Sequence, residues 1–120
     1  MSDRQQREDA LRRRMRELAG QFLTRTRTDV ARLTAMMEQI QADAPTLQSV
    51  IMLAHKICGT ASTFQFDDIS SCAGELERAA MALSGASMGC EEVRQLVTLT
   101  TRLCIAADRT RQASETAADR

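Results

Sequence analysis

The sequence predicts an all-α protein, an antiparallel up-down four-helix bundle with an additional N-terminal helical arm. The 120 residues include only one proline and five glycines. Apolar residues recur at i, i+3 and i+4 along most of the chain, which is the spacing of an amphipathic helix. No run of useful length alternates apolar and polar residues, as a half-buried strand does. Short connections between such helices favour antiparallel neighbours.

The first twenty residues predict a charged helical arm. Their apolar residues continue into the bundle as one narrow seam, namely Leu11, Met15, Leu18 and Phe22. Gly20 is expected to break or kink this helix, so the arm is assigned to residues 1–20. The arginines here, including Arg12 to Arg14, are interpreted as a solvated helix face; contact with an acidic partner or an anionic membrane surface is the alternative.

The bundle itself is assigned to residues 21–108. Its helices are predicted at about residues 22–41, 46–64, 67–83 and 90–107, with a loop at 84–89. Pro45 suits the first turn of the second of these helices. Asp67 or Asp68 is expected to cap the third. The chain turns polar after Ala107, so residues 109–120 are assigned to a polar C-terminal tail that frays.

The only histidine of the chain, His55, is predicted to lie on the polar face of a core helix. The apolar stripe of that helix consists of Leu47, Val50, Ala54, Ile57, Ala61 and Phe64. At about 100° per residue, His55 lies roughly 140° from the centre of this stripe. Gly59 follows one turn later, almost opposite the core, where a glycine costs about 1 kcal/mol relative to alanine. This glycine indicates that something needs close access beside His55.

The residues around His55 resemble a known family. Residues 54–64 are Ala-His-Lys-Ile-Cys-Gly-Thr-Ala-Ser-Thr-Phe. This segment resembles the signature of histidine phosphotransfer (HPt) domains, in the subgroup with the pattern Ala-His-Lys-Leu-x-Gly-x-Ala-x-x-Phe-Gly. The match continues at the family's spacing through Ile69, Cys72, Leu76 and Glu77. The chain departs from the pattern at Gln65, where the family usually has glycine, and at Cys58, where a lysine is common.

The resemblance implies a phosphorelay intermediate of a bacterial two-component signalling system. His55 is the implied phosphoacceptor, which carries a phosphoryl group between the aspartates of receiver domains, and Lys56 gives electrostatic support. The implied partners are receiver domains of response regulators and of hybrid histidine kinases. The chain is expected to bind no cofactor, because the Mg²⁺ belongs to the receiver domain. Without a nucleotide-binding motif or a second histidine, it is expected to have no ATP-dependent kinase activity.

A docking patch for the receiver is predicted on the side of the helix that carries His55. Gly59 would let the receiver surface approach, and Met52 is an apolar residue on an otherwise polar face. Ser62 or Gln48 could orient the imidazole or the phosphoryl group by hydrogen bonds. The predicted patch comprises Gln48, Met52, Gly59, Ser62 and Phe66.

Three alternatives stay open at this point. The first is a helical adaptor that signals by binding alone, through the same face or through the arm. The second is a metal site at His55 and Cys58, but Cys72 and Cys104 fall in apolar stripes, so four tetrahedral ligands are hard to assemble and no metal is expected. The third is a thiol sensor at Cys58. All four cysteines are expected to be reduced, with Cys58 and Cys90 nearer the surface.

Charge and hydropathy restrict the partners and the location. The formal net charge is +0, which argues against a nucleic-acid binder that depends on a positive field. No apolar run approaches the ~18 residues of a membrane span. The N-terminus is polar and is not a secretory signal. The expectation is a monomer in the cytoplasm.

Overall fold

Four helices make up the described part of the chain. The computed structural model describes residues 2–40, 44–83 and 88–118. Within these ranges the helices are α1 (Asp3–Met37), α2 (Ala44–Thr63), α3 (Asp67–Ala82) and α4 (Cys90–Ala118), and no strand is present. Each helix packs against the next one, and α4 closes the arrangement against α1, as in a four-helix bundle. The all-α prediction is confirmed, while residues 84–87 of the predicted loop lie outside the described residues.

The predicted arm is continuous with the first helix of the bundle. Ser2 caps α1, its Oγ accepting from the Gln5 backbone N–H at 3.2 Å. The helix then passes through Gly20, so the predicted break there is wrong. A single glycine costs only about 1 kcal/mol in a helix interior, and Phe22 and Leu23 bury their side chains in the core directly after it. Packing of the C-terminal half of α1 in the core therefore stabilises the helix enough for it to continue through Gly20 into its exposed N-terminal half.

The link between α2 and α3 is a Schellman motif. The Phe66 N–H donates to the Ala61 carbonyl at 2.9 Å, and the Gln65 N–H donates to the Ser62 carbonyl at 3.1 Å. Gln65 takes a left-handed conformation with φ of 61°, which is the position that glycine usually occupies in this motif. Phe66 is the N-cap of α3, without a side-chain cap, so the expectation that Asp67 or Asp68 would cap this helix is wrong.

Aromatic stacking fixes this end of the bundle. The ring of Phe22 lies 5.7 Å from that of Phe64 and 5.9 Å from that of Phe66, centroid to centroid. Because Phe22 belongs to α1 and the other two rings flank the α2–α3 link, the cluster ties three helices together. Below it, the core consists of fully buried side chains from all four helices, among them Leu33, Ile57, Leu76 and Leu103.

The C-terminal residues continue α4 instead of fraying. Ala106 and Ala107 are buried, and α4 runs to Ala118. Arg111 pairs with Asp108 at 3.9 Å and with Glu115 at 3.4 Å along the same helix. The expected fraying is therefore wrong for residues 109–118, where intrahelical ion pairs support a helix although the apolar pattern has ended. Residues 119 and 120 lie outside the described residues.

All four cysteines are free thiols. Cys90 is exposed, as predicted, while Cys58 is half-buried between α2 and α3 rather than at the surface. Cys72 and Cys104 pack against the core and stay partly accessible. Burial raises the pKa of the Cys72 thiol, and nearby carboxylates act in the same direction.

Across the described residues, no helix has the length and hydropathy needed to cross a bilayer.

Candidate functional site

An exposed stripe runs along the outer face of α2. It contains Gln48, Met52, His55, Gly59 and Ser62, and every one of these residues is exposed. Their alternating spacing of four and three residues keeps them on one side of the helix. Met52 is 70% exposed, although it is apolar. The structure therefore places four of the five predicted docking residues in line with His55; their docking role stays a prediction.

Phe66, the fifth predicted docking residue, lies elsewhere. Its ring is half-buried against Phe22 and Phe64. It also follows the end of α2 at Thr63, which lies about 12 Å beyond His55 along the helix axis at the usual rise per residue. The wheel of α2 does not position a residue beyond the end of the helix, so periodicity does not place Phe66 beside His55, and its docking role stays a prediction.

Among the described residues, the imidazole of His55 has one hydrogen-bond partner, Glu77. Its Nδ1 lies 2.7 Å from Oε2 of Glu77 on α3, and the His55 side chain is 76% exposed. An ionised carboxylate only accepts hydrogen bonds, so Nδ1 carries the proton and its N–H donates a hydrogen bond to Glu77. In the neutral ring the lone pair is then on Nε2. The contact fixes the tautomer and the ring orientation and leaves Nε2 facing solvent.

Small side chains allow α3 to approach α2 closely beside His55. A Cβ on the buried Gly74 would lie 3.4 Å from Sγ of Cys58. One turn earlier on α3, the Ser70 hydroxyl donates to the Cys58 carbonyl at 3.1 Å. These contacts set an antiparallel register in which Glu77 arrives level with His55.

Glu77 is the residue in contact with His55 that reasoning from helix periodicity does not identify. The family spacing given above includes Glu77 without a role. The signal available in the sequence is its place directly after the buried Leu76, 22 residues beyond His55 on the next antiparallel helix. A wheel drawn for α2 alone contains no information on which residue of α3 meets the histidine.

Lys56 lies on the opposite side of α2 from Glu77. It lines a cavity of about 210 Å³ between α1 and α2, together with Arg25 and Asp29. Asp29 is buried to 7% exposure and pairs with Arg32 at 3.8 Å. The face of α2 that carries His55 is therefore bordered by cationic residues toward α1 and by Glu77 toward α3.

The described residues form no cluster of possible metal ligands. No group of three or more His, Cys, Asp or Glu side chains comes together there in a way that could hold an ion. Cys58 turns toward Ser70, with its Sγ 3.6 Å from the hydroxyl oxygen, whereas His55 turns toward Glu77. What the arrangement offers chemically is one oriented, accessible imidazole nitrogen.

Comparison with known proteins identifies a family for the chain. The family model of the Hpt domain matches residues 17–113. This range covers His55, Glu77, the whole of α2 and α3, and most of α1 and α4. It crosses the boundaries predicted at residues 20 and 108. No curated protein and no solved structure matches the chain significantly.

Proposed function

Because the chain belongs to the Hpt domain family, whose members take part in phosphorelay, we propose that it carries a phosphoryl group on Nε2 of His55. The donors and acceptors are aspartates of receiver domains in response regulators and hybrid histidine kinases. The observation that carries the proposal is the 2.7 Å contact between His55 Nδ1 and Glu77 Oε2. It leaves a single nucleophilic nitrogen, exposed and oriented, on a helix of the bundle.

The transfer needs little chemistry from this chain. The Nε2 lone pair attacks the phosphorus of a receiver aspartyl phosphate in line, an N–P bond forms, and the P–O bond breaks with its electrons returning to the aspartate. The imidazole becomes positively charged, and Glu77 stabilises that charge through the Nδ1 proton. In the second step a carboxylate oxygen of the next receiver attacks, and the N–P electrons return to Nε2. Mg²⁺ is supplied by the receiver domain.

The receiver is proposed to dock on the stripe of α2. Met52 supplies an apolar contact one turn before His55, and Gly59 removes a side chain one turn after it. Addition of a Cβ at Gly59 would meet nothing within 4 Å in this structure, so the fold does not require glycine there. Lys56 adds positive charge toward the acidic phosphorylation site of the receiver. The proposal places a monomeric protein in the bacterial cytoplasm, with its phosphoryl group supplied by a partner.

The test is phosphoryl transfer from a panel of phosphorylated receiver domains, with His55→Gln as the matched variant. The expected result is an acid-labile, base-stable label on the wild type and none on the variant. His55 is mostly exposed, so the variant keeps the fold, and circular dichroism checks this. Binding of a receiver without any label on the wild type would contradict the proposal and support an adaptor that signals by binding alone.

A further inference from the structure

Arg78 extends along the line of contact between α2 and α3, beside which His55 lies. Its Nη1 lies 3.3 Å from the point that a Cβ on Gly74 would occupy, and Sγ of Cys58 lies 3.4 Å from that point. The guanidinium therefore folds back over Gly74, into space that two small side chains leave open. Arg78 itself is exposed, so this position is accessible to a ligand.

The register of α2 and α3 places this cation about one turn of α2 from the level of the imidazole. Glu77 is hydrogen-bonded to His55, and Ser70 is hydrogen-bonded to Cys58. The side chain of Arg78, which runs back toward Gly74, therefore starts near the level of His55 and ends near the level of Cys58. The two levels are about 5 Å apart along the helix axis. A rotation of the flexible arginine side chain spans that distance.

A phosphoryl group on His55 creates a need for positive charge at this place. It adds between about −1.5 and −2 charges, and the nearest fixed charge is the carboxylate of Glu77, which repels it. Lys56 lies on the α1 side of α2. Within residues 2–40, 44–83 and 88–118, Arg78 takes part in no ion pair. A guanidinium can donate two parallel hydrogen bonds to phosphoryl oxygens.

We propose that Arg78 binds the phosphoryl oxygens of phosphorylated His55, so that Glu77 and Arg78, adjacent on α3, orient the imidazole and hold its phosphoryl group respectively. This inference rests on the proposed function of His55. It makes Arg78 a phosphate-binding residue of the carrier, in addition to any cation that the receiver brings.

The test uses the full chain and a small-molecule donor, phosphoramidate, so that no receiver is needed for loading. Nε2 forms the N–P bond, and the P–N bond of the donor breaks with release of ammonia. The variants are Arg78→Gln and Arg78→Lys. The control is Arg102→Gln, which removes the same charge from an exposed position on α4. The first readout is the second ionisation of the phosphoryl group, followed by the ³¹P chemical shift against pH.

Arg78→Gln is expected to raise the pKa of the phosphoryl group, because a nearby cation favours the dianion. It is also expected to slow loading from phosphorylated receivers by about tenfold, because the phosphoryl group arriving at His55 loses a charge-assisted hydrogen bond. Arg78→Lys should restore part of both effects, and Arg102→Gln should match the wild type. Equal phosphoryl titration and equal transfer rates in Arg78→Gln and Arg102→Gln would overturn the inference while leaving the carrier function intact. A wild type that no donor phosphorylates at His55 would overturn both.

Discussion

The replacement Gly59→Ala separates what the fold requires from what a docking partner requires. An added Cβ would meet nothing within 4 Å at Gly59, and the same holds at Gly20. Both glycines lie inside helices, where alanine is favoured by about 1 kcal/mol. Each replacement is therefore expected to raise the free energy of unfolding by about 1 kcal/mol. This corresponds to a rise in Tm of about 4–8 °C for a domain of roughly 100 residues.

Phosphoryl transfer should respond to only one of the two replacements. A methyl group inserted into a close contact costs about 1–3 kcal/mol, so Gly59→Ala should slow transfer from a phosphorylated receiver by about five- to 150-fold. Gly20→Ala, on α1 and off the stripe, should transfer at the wild-type rate. The assays are thermal unfolding by circular dichroism and transfer measured at subsaturating receiver. Equal transfer rates in the two variants would refute the close approach at Gly59, and a lower Tm in Gly59→Ala would refute the open space around it.

Three further predictions concern single side chains. Glu77→Ala should slow transfer by about tenfold, because His55 loses its orienting acceptor, with no change in secondary structure by circular dichroism; an unchanged rate would contradict the role of Glu77. Gln65→Gly should raise the free energy of unfolding by about 1 kcal/mol, as measured by chemical denaturation. A left-handed conformation costs a non-glycine residue roughly 1–2 kcal/mol, and part of this gain is lost because glycine has more conformational entropy in the unfolded chain. An unchanged free energy of unfolding would argue against the left-handed φ of Gln65. Alkylation at pH 8 should modify Cys90 before Cys72, as followed by mass spectrometry. The raised pKa of Cys72 keeps its thiol protonated to a higher pH than an ordinary thiol. Modification of Cys72 first would contradict this.

Helix periodicity was enough to predict the fold class and the exposed face of α2. The stripe around Ile57 is regular, and a residue placed opposite a regular stripe is exposed whatever packs on the other side. His55, Met52 and Gly59 follow from this argument alone. The family resemblance then added the chemistry expected of an exposed histidine in that pattern.

Helix ends were predicted poorly because they depend on balances that a hydropathy pattern does not contain. Gly20 weakens a helix by an amount that neighbouring packing offsets. Arg111 supports the last turns of α4 through two ion pairs. At Asp67, the choice of cap was decided by the Schellman motif that ends α2 two residues earlier. Each outcome depends on differences of about 1 kcal/mol or less.

The sequence also does not predict which residues come into contact across two helices. Glu77 reaches His55, and Arg78 reaches the space above Gly74, only because α2 and α3 pack in one particular register. That register is set by the close approach of Cys58 to Gly74. Two small residues at a helix contact are a weak signal in a single sequence, and their consequence is visible only once the two helices are placed together.

The measurement that tests the central claim most directly is the nitrogen assignment of the phosphorylated ring. The chain has one histidine, so protein labelled with ¹⁵N-histidine gives a single imidazole in a long-range ¹H–¹⁵N spectrum. After loading from a phosphorylated receiver, the account predicts phosphorus coupling at Nε2 and a proton retained on Nδ1. Phosphorylation at Nδ1, or an imidazole left unmodified while a receiver loses its phosphoryl group to this chain, would contradict it.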